Sequence, residues 1–385
     1  VGEDNGEGDF PGDVQQACRG SFLFNFRRHR VQKIRRFFVI TLSLTFMFIQ
    51  LGVSAAAQGP AVSALDIRLV TDEAESVLFI LQKLKSGQSV AEADWEHVFS
   101  NEGYVRLKKR EKSLKRSFED EDFRKFVLSA ELGARTDALA VTLERWKHAD
   151  LRAAADRALA YLPSGTSIRA KVYPVIKSKT NSFVFELQTD PAIFLYLDPE
   201  ISTAQFENTV VHELHHIGLA AACLPAYEVE EHKKKPAEVR AVLEWIGAFG
   251  EGVAMLAAAG GPAIHPHATS PAPDRERWNK DMANLDADLK KVEAFFLDVL
   301  DGRLKGEEAI REVAFSFFGI QGPWYTVGWK MAVLIEETFG RARLIGCLCK
   351  PATLLIAYND AAAKRNALTG ESLAIWSPDL LKRLN

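Results

Sequence analysis

The stretch Val210–Gly218, VVHELHHIG, constrains this chain more than any other. His212 and His216 are four residues apart. On a helix they share one face, one turn from each other, and both imidazoles can reach one zinc ion. Glu213 sits beside the first histidine and points to the side. There its carboxylate can take a proton from a zinc-bound water and later pass it to a leaving amine. Val210, Val211, Leu214 and Ile217 fall where they can press the same helix into a core. The pattern therefore asks for a buried helix with one stripe open to a cleft. His215 is rotated off that stripe and reads as an outer-layer or exposed residue, not a ligand.

A catalytic zinc takes three protein ligands and keeps one position open. Glu251, in AFGEGVAML, is the strongest candidate for the third. It is an isolated carboxylate in a small and apolar run, where an unpaired charge is costly and zinc would supply its partner. The alternatives are His232, in a polar cluster with Glu228, Glu230 and Glu231, the loop histidines His265 and His267, and a carboxylate elsewhere in the chain. The longer H-E-x-x-H-x-x-G-x-x-H arrangement is not met, because Leu219 and Ala222 stand at its glycine and third histidine. Amide hydrolysis also needs a group to stabilise the oxyanion. Tyr325, in GPWYTVG, follows a Gly-Pro turn at the start of a helix and is the candidate catalytic residue beside Glu213. A tyrosine that only packs the turn is the alternative. Glu336, in VLIEETFG, either orients His212 or His216 through the second ring nitrogen or is a helix-surface charge.

The segment before residue 61 reads as a targeting signal. RRHRVQKIRR (Arg27–Arg36) is densely basic, FFVITLSLTFMFI (Phe37–Ile49) is uncharged and mostly apolar, and LGVSAAAQG offers small residues around Ala55 and Ala57. That is the order of a signal peptide and its cleavage site. The expectation is an exported body, periplasmic or extracellular. A retained anchor is the alternative and would be the chain's only contact with a membrane, although the apolar run falls short of the ~20 residues a spanning helix needs. Cleavage removes Cys18. Of Cys223, Cys347 and Cys349, one disulfide can run from Cys223 to either of the other two. Burial as plain apolar residues is the competing fate.

Of the 385 residues, 47% are apolar and 26% charged, as in a soluble globular body, and the net charge of -3 comes without a basic block in that body. Nucleic acid is thereby excluded as a partner. The mixed-sign run Lys108–Lys125 reads as a solvated helical face. No signal for an oligomeric state is present.

Periodicity predicts a strand or helix and then a helix over Ala61–Leu84, with Thr71 or Asp72 as cap. A helix carrying Trp95, Val98 and Phe99 follows and breaks at Gly103, and two helices over Phe118–Tyr161 break near Gly133. Strands follow at Ile168–Ile176, Ser182–Leu187 and Ala192–Leu197. Ser202 or Thr203 caps the motif helix, which runs to about Cys223. Further helices are expected at Ala237–Ala259, Arg275–Leu300, Gly306–Phe317, from Tyr325, at Leu344–Tyr358 and at Ser372–Leu384. The fold class is α+β and mainly helical, zincin-like, with a small sheet preceding the motif helix. The organisation is an extension and signal (1–57), a helical region (61–165) and a catalytic region (166–385), the last two packed as one unit.

VVHELHHIG, AFGEGVA, GPWYTVGWKMAVLIEETFG and PATLLIAYN together resemble the bacterial zinc-dependent peptidase families of the DUF5700 and DUF2268-like group, over roughly Trp95–Asn359. The resemblance implies a gluzincin-type site, with His212 and His216 as ligands, Glu213 as base and Glu251 as third ligand. The N-E-x-x-x-D pattern of thermolysin-type enzymes is missing, so the exact fold and substrate do not carry over. The leading function is an exported zinc metallopeptidase acting on a peptide or protein. The rivals are a zinc hydrolase of another bond and an inactive, zinc-stabilised binding protein. Glu213 argues against the last, because a structural site needs no base beside its ligand.

Overall fold

The computed structural model describes residues 65–180, 182–227, 234–319 and 321–384. The targeting segment, Cys18 and the cluster Glu228, Glu230, Glu231 and His232 lie outside the described residues. The fold is α+β and mainly helical, built round a four-stranded sheet in the order β1-β2-β4-β3. Its strands are β1 (Leu65–Leu69), β2 (Ile168–Val175), β3 (Phe183–Phe185) and β4 (Ala192–Tyr196).

The first segment is thus a strand, and it extends the three expected later in the chain. β1 runs parallel to β2 with Leu65 opposite Ile168, and β2 runs parallel to β4 with Val175 opposite Tyr196. β3 is antiparallel, with Phe183 opposite Phe194, and forms one edge. It is shorter than its apolar run because Glu186, at φ +56°, turns the chain away. β4 is buried throughout, the mark of a strand covered on both faces.

Parallel neighbours need a long crossover. From β1 to β2 it is made of α1 (Asp72–Lys85), α2 (Glu92–Ser100), α3 (Glu102–Ser113), α4 (Asp120–Val127), α5 (Ala130–Ala134), α6 (Thr136–Lys147) and α7 (Leu151–Leu159). Local capping decides its breaks. α2 and α3 part at Asn101, not Gly103, because the Asn101 side chain accepts from Tyr104 N at 2.9 Å and Asp72 Oδ2 accepts from Glu102 N at 2.8 Å. Phe118–Tyr161 holds four helices instead of two, since Ser129 and Asp150 cap α5 and α7.

The charged run is not simply a solvated face. Arg110 and Glu111 are buried. The Arg110 guanidinium lies 3.4 Å over the Phe183 ring and bonds Glu111, which also holds Arg116. Neighbouring Arg106 binds Tyr173, Glu186 and Asp190, pinning α3 to the turn after β3. Tyr173, Phe183, Glu186 and Asp190 lie on the sheet or in the turn after β3, far along the chain, where charge alternation gives no hint of them.

After β4 comes the motif helix α8 (Thr203–Tyr227), longer than expected. Ser202 Oγ accepts from Gln205 N and Gln205 Oε1 from Ser202 N, a capping box. Val210, Val211, Leu214 and Ile217 enter the core as their spacing requires. Then follow α9 (Ala237–Ile246), a 3₁₀ turn (Gly247–Phe249) and α10 (Gly250–Ala259), three pieces where one helix was expected. By length and composition alone Ala237–Ala259 could cross a bilayer, but 78% of its most apolar window is buried inside the protein, so it serves as core.

The rest is α11 (Ala272–Met282), α12 (Leu285–Leu300), α13 (Glu307–Ser316), α14 (Pro323–Phe339), α15 (Arg341–Leu348), α16 (Pro351–Thr369) and α17 (Pro378–Leu384). Arg275–Leu300 is broken at Asn284, whose side chain bonds the Lys280 carbonyl. Leu344–Tyr358 is split between α15 and α16, and the last expected helix shrinks to α17. One hydrophobic cluster extends from Ala74 and Val77 to Leu380 and Leu384.

Cys223, two turns beyond His216, forms a disulfide with Cys349 across 126 residues of sequence, while Cys347 is buried as a free thiol. Closing a loop of that length is worth about 5 kcal/mol in chain entropy. Chemical denaturation with and without reductant is expected to differ by that amount.

Candidate metal centre

Three elements bring the site together. α8 presents His212 and His216, α10 presents Glu251, and the first turn of α14 presents Tyr325. His212 Nε2 and His216 Nε2 are 3.0 Å apart, and Glu251 Oε2 lies 3.0 Å from the first and 3.1 Å from the second. Glu251 is fully buried, and its Oε1 has no hydrogen-bond partner. Burial works against its charge, but the two imidazoles outweigh it and hold the carboxyl below the usual carboxylate range.

Protons alone satisfy such a triangle poorly. If both Nε2 atoms donate to Glu251, their protons crowd each other across 3.0 Å. If either is bare, lone pairs face lone pairs. A cation at the centre satisfies all three. A tetrahedral zinc with bonds of 2.0–2.1 Å sets its ligands about 3.3 Å apart, close to the spacing seen. The donor set of two neutral imidazoles and one carboxylate also suits zinc.

Glu213 is buried next to this group. Burial pushes its carboxyl up to about 7, with His212 opposing and Glu251 adding to the rise. A base near neutrality is well matched to proton transfer at physiological pH. His215 is wholly buried, not exposed, and donates Nε2–H toward the Tyr161 carbonyl at 3.3 Å. Burial and the neighbouring imidazoles push it down to about 3, so it stays neutral.

Tyr325 lies half-buried, its ring 6.4 Å from the His212 ring and inclined by only 20°. Its place is set by backbone-to-backbone packing of α10 on α14. A Cβ added at Gly252 would lie 1.9 Å from Trp329 N and 2.6 Å from the Tyr325 carbonyl oxygen, and one at Gly328 would lie 2.6 Å from the Phe249 oxygen. The glycine pair thus sets the spacing between Glu251 and Tyr325.

The other candidates are occupied elsewhere. His265 Nε2 pairs with Asn279. His267 accepts from Gln321 Nε2 at 3.0 Å and bonds Ser270 through Nδ1, and burial lowers it to about 4. Glu336 takes hydrogen bonds from Tyr161 and Arg341 instead of orienting a zinc-site histidine. It stands 11 residues after Tyr325, about 16 Å along α14. Asn208 went unnoticed in the sequence, although it sits one turn before His212 on the same stripe.

The family model described as "Putative zinc dependent peptidase (DUF5700)" matches residues 76–367. The chain belongs to this family. No curated protein and no solved structure matches it. That description makes DUF5700 a family of putative zinc-dependent peptidases, and its match begins earlier and ends later than the resemblance drawn from the motifs. The zinc dependence of the family meets, in this chain, the group His212, His216 and Glu251.

Proposed function

We propose that this DUF5700 member is an exported metallopeptidase, with His212, His216 and Glu251 holding zinc and Glu213 as general base. The observation that carries the reading is the convergence of those three ligand atoms beside a buried carboxylate of raised affinity for protons. Zinc bound there supplies Lewis acidity and a nucleophilic water at neutral pH. Glu213 takes the proton of the attacking water and returns it to the leaving amine. Tyr325, whose ring lies 6.4 Å from that of His212, offers its hydroxyl to the oxygen on which charge develops. β3, as an edge strand, can align an extended peptide by main-chain hydrogen bonds. Export is supported by the basic and apolar order of residues 27–57 and by the Cys223–Cys349 disulfide, which suits an oxidising compartment.

The test is metal content together with cleavage of a peptide library by the wild type and by Glu213→Gln. The variant is expected to keep its zinc and lose turnover by about 10²–10⁴-fold. Zinc bound by both proteins with cleavage by neither would sink the peptidase reading. Periplasmic or extracellular recovery of the expressed chain, against retention in the cytoplasm, tests export.

A further inference from the structure

We propose that Arg157 is a positioning residue for the metal centre: one guanidinium nitrogen, shared between Asn208 and the Ala258 carbonyl, sets the axial register of the two ligand-bearing helices. The inference rests on the zinc reading above. Arg157 Nη1, on α7, donates to Asn208 Oδ1 at 2.9 Å and to Ala258 O at 3.1 Å. Asn208 stands one turn before His212 on the stripe that continues to His216. Ala258 stands two turns after Glu251 on α10. Glu251 meets His212 and His216 while Ala258, further along α10, meets Asn208, further back on α8, through Arg157, so the two helices run antiparallel here and the clamp grips them beyond the ligands at one end. Asn208 Nδ2 donates in turn to Thr269 Oγ1 at 2.8 Å, tying in the chain that leaves α10.

The packing between these helices explains why register needs a polar lock. Beside Val253 and Leu256, the buried side of α10 carries Ala254, Ala257 and Ala258, and α7 brings Ala154, Ala155 and Ala158. Small side chains allow close approach but present few knobs to resist sliding. A slip of one residue along an axis moves Glu251 by about 1.5 Å. Metal bonds tolerate about 0.2 Å. A polar contact is a known device for choosing one register among several. Ala258 lies in the last turn of α10, where the exposed carbonyls favour a cation, so the Arg157 charge is well placed there.

The experiment measures the zinc affinity of the purified chain by competition with a chromogenic chelator. The visible spectrum of the cobalt(II)-substituted protein and the melting curve of the metal-free protein are recorded beside it. Arg157→Met is expected to weaken zinc binding by about tenfold to a hundredfold and to shift the cobalt bands. Arg157→Lys, whose ammonium can donate to the same two oxygens, is expected to recover most of the loss. Asn208→Ala removes the other half of the clamp, is expected to show the same loss, and decides the matter if Arg157→Met does not fold. Zinc affinity within about twofold of wild type in the folded variants, whatever happens to the melting temperature, overturns the proposal. A wild type that binds no zinc overturns the metal reading and this inference together. Zinc binding by wild type and variants alike overturns this inference alone.

Discussion

Glu251→Ala is expected to strip zinc from the chain while leaving its helices in place. Two histidines remain, one turn apart, and a pair of imidazoles on a single helix closes only part of a tetrahedral site. The loss in metal affinity is large because the carboxylate brings a negative charge into contact with both imidazoles. The fold should tolerate the change. Alanine is the best helix former, and α10 is already built of alanine and glycine around that position. The carboxylate removed has one oxygen with no hydrogen-bond partner, so the polar contacts given up are those of Oε2 to the two histidines. Metal analysis after gel filtration, with circular dichroism on the same sample, separates the two effects. Full retention of zinc by the variant would remove Glu251 from the ligand set.

The other large effect comes from the next residue. Gly252→Ala places a methyl group 1.9 Å from Trp329 N and 2.2 Å from the Gly328 carbonyl carbon. Both are backbone atoms, so no side-chain rotation relieves the clash, and α10 must move off α14. Overpacking in cores commonly costs about 1–3 kcal/mol. A helix–helix displacement belongs in the tail above about 4 kcal/mol. Since α10 carries Glu251 and α14 carries Tyr325, the same displacement disrupts the site, and zinc affinity is expected to fall with stability. Gly133→Ala is the control. Nothing lies within 4 Å of the methyl it adds, and Gly133 sits inside α5. It is expected to stabilise the fold by about 0.4–1 kcal/mol through the unfolded chain. Denaturant unfolding of the three proteins measures this. A Gly252→Ala protein within about 1 kcal/mol of wild type would show that the helices can part cheaply.

Much of the site was legible because its signals are local. The four-residue spacing of His212 and His216 is a statement about one helix face. The apolar set at Val210, Val211, Leu214 and Ile217 says which side of that helix is buried. Glu251 announced itself differently, as a charge with no business in AFGEGVAML unless something paired it. The cap offered at Ser202 or Thr203 and the alternation of Ile168–Ile176 belong to the same class of short-range signal. Element breaks were less legible. Asn101, Ser129 and Asn284 stop helices by side-chain contacts that compete closely with continuing the helix. The burial of Arg110 and Glu111 was hidden because Phe183 on β3 is their cover, and no local pattern reports a partner that distant.

The sequence by itself determined the chemistry on offer: two imidazoles and a carboxylate at helical spacing, a lone acid in an apolar helix, and the small residues that let helices approach. It determined these because periodicity and composition act within a few residues. Only the tertiary structure decided which groups meet. It set Glu251 about 3 Å from both histidines across 35 and 39 residues of chain. It turned Glu336 toward Tyr161 and Arg341, occupied His267 with Gln321, and chose Cys349 over Cys347 as the partner of Cys223. Those choices depend on how α8, α10 and α14 are stacked, and the stacking is fixed by glycine contacts and a shared guanidinium whose partners are remote in sequence.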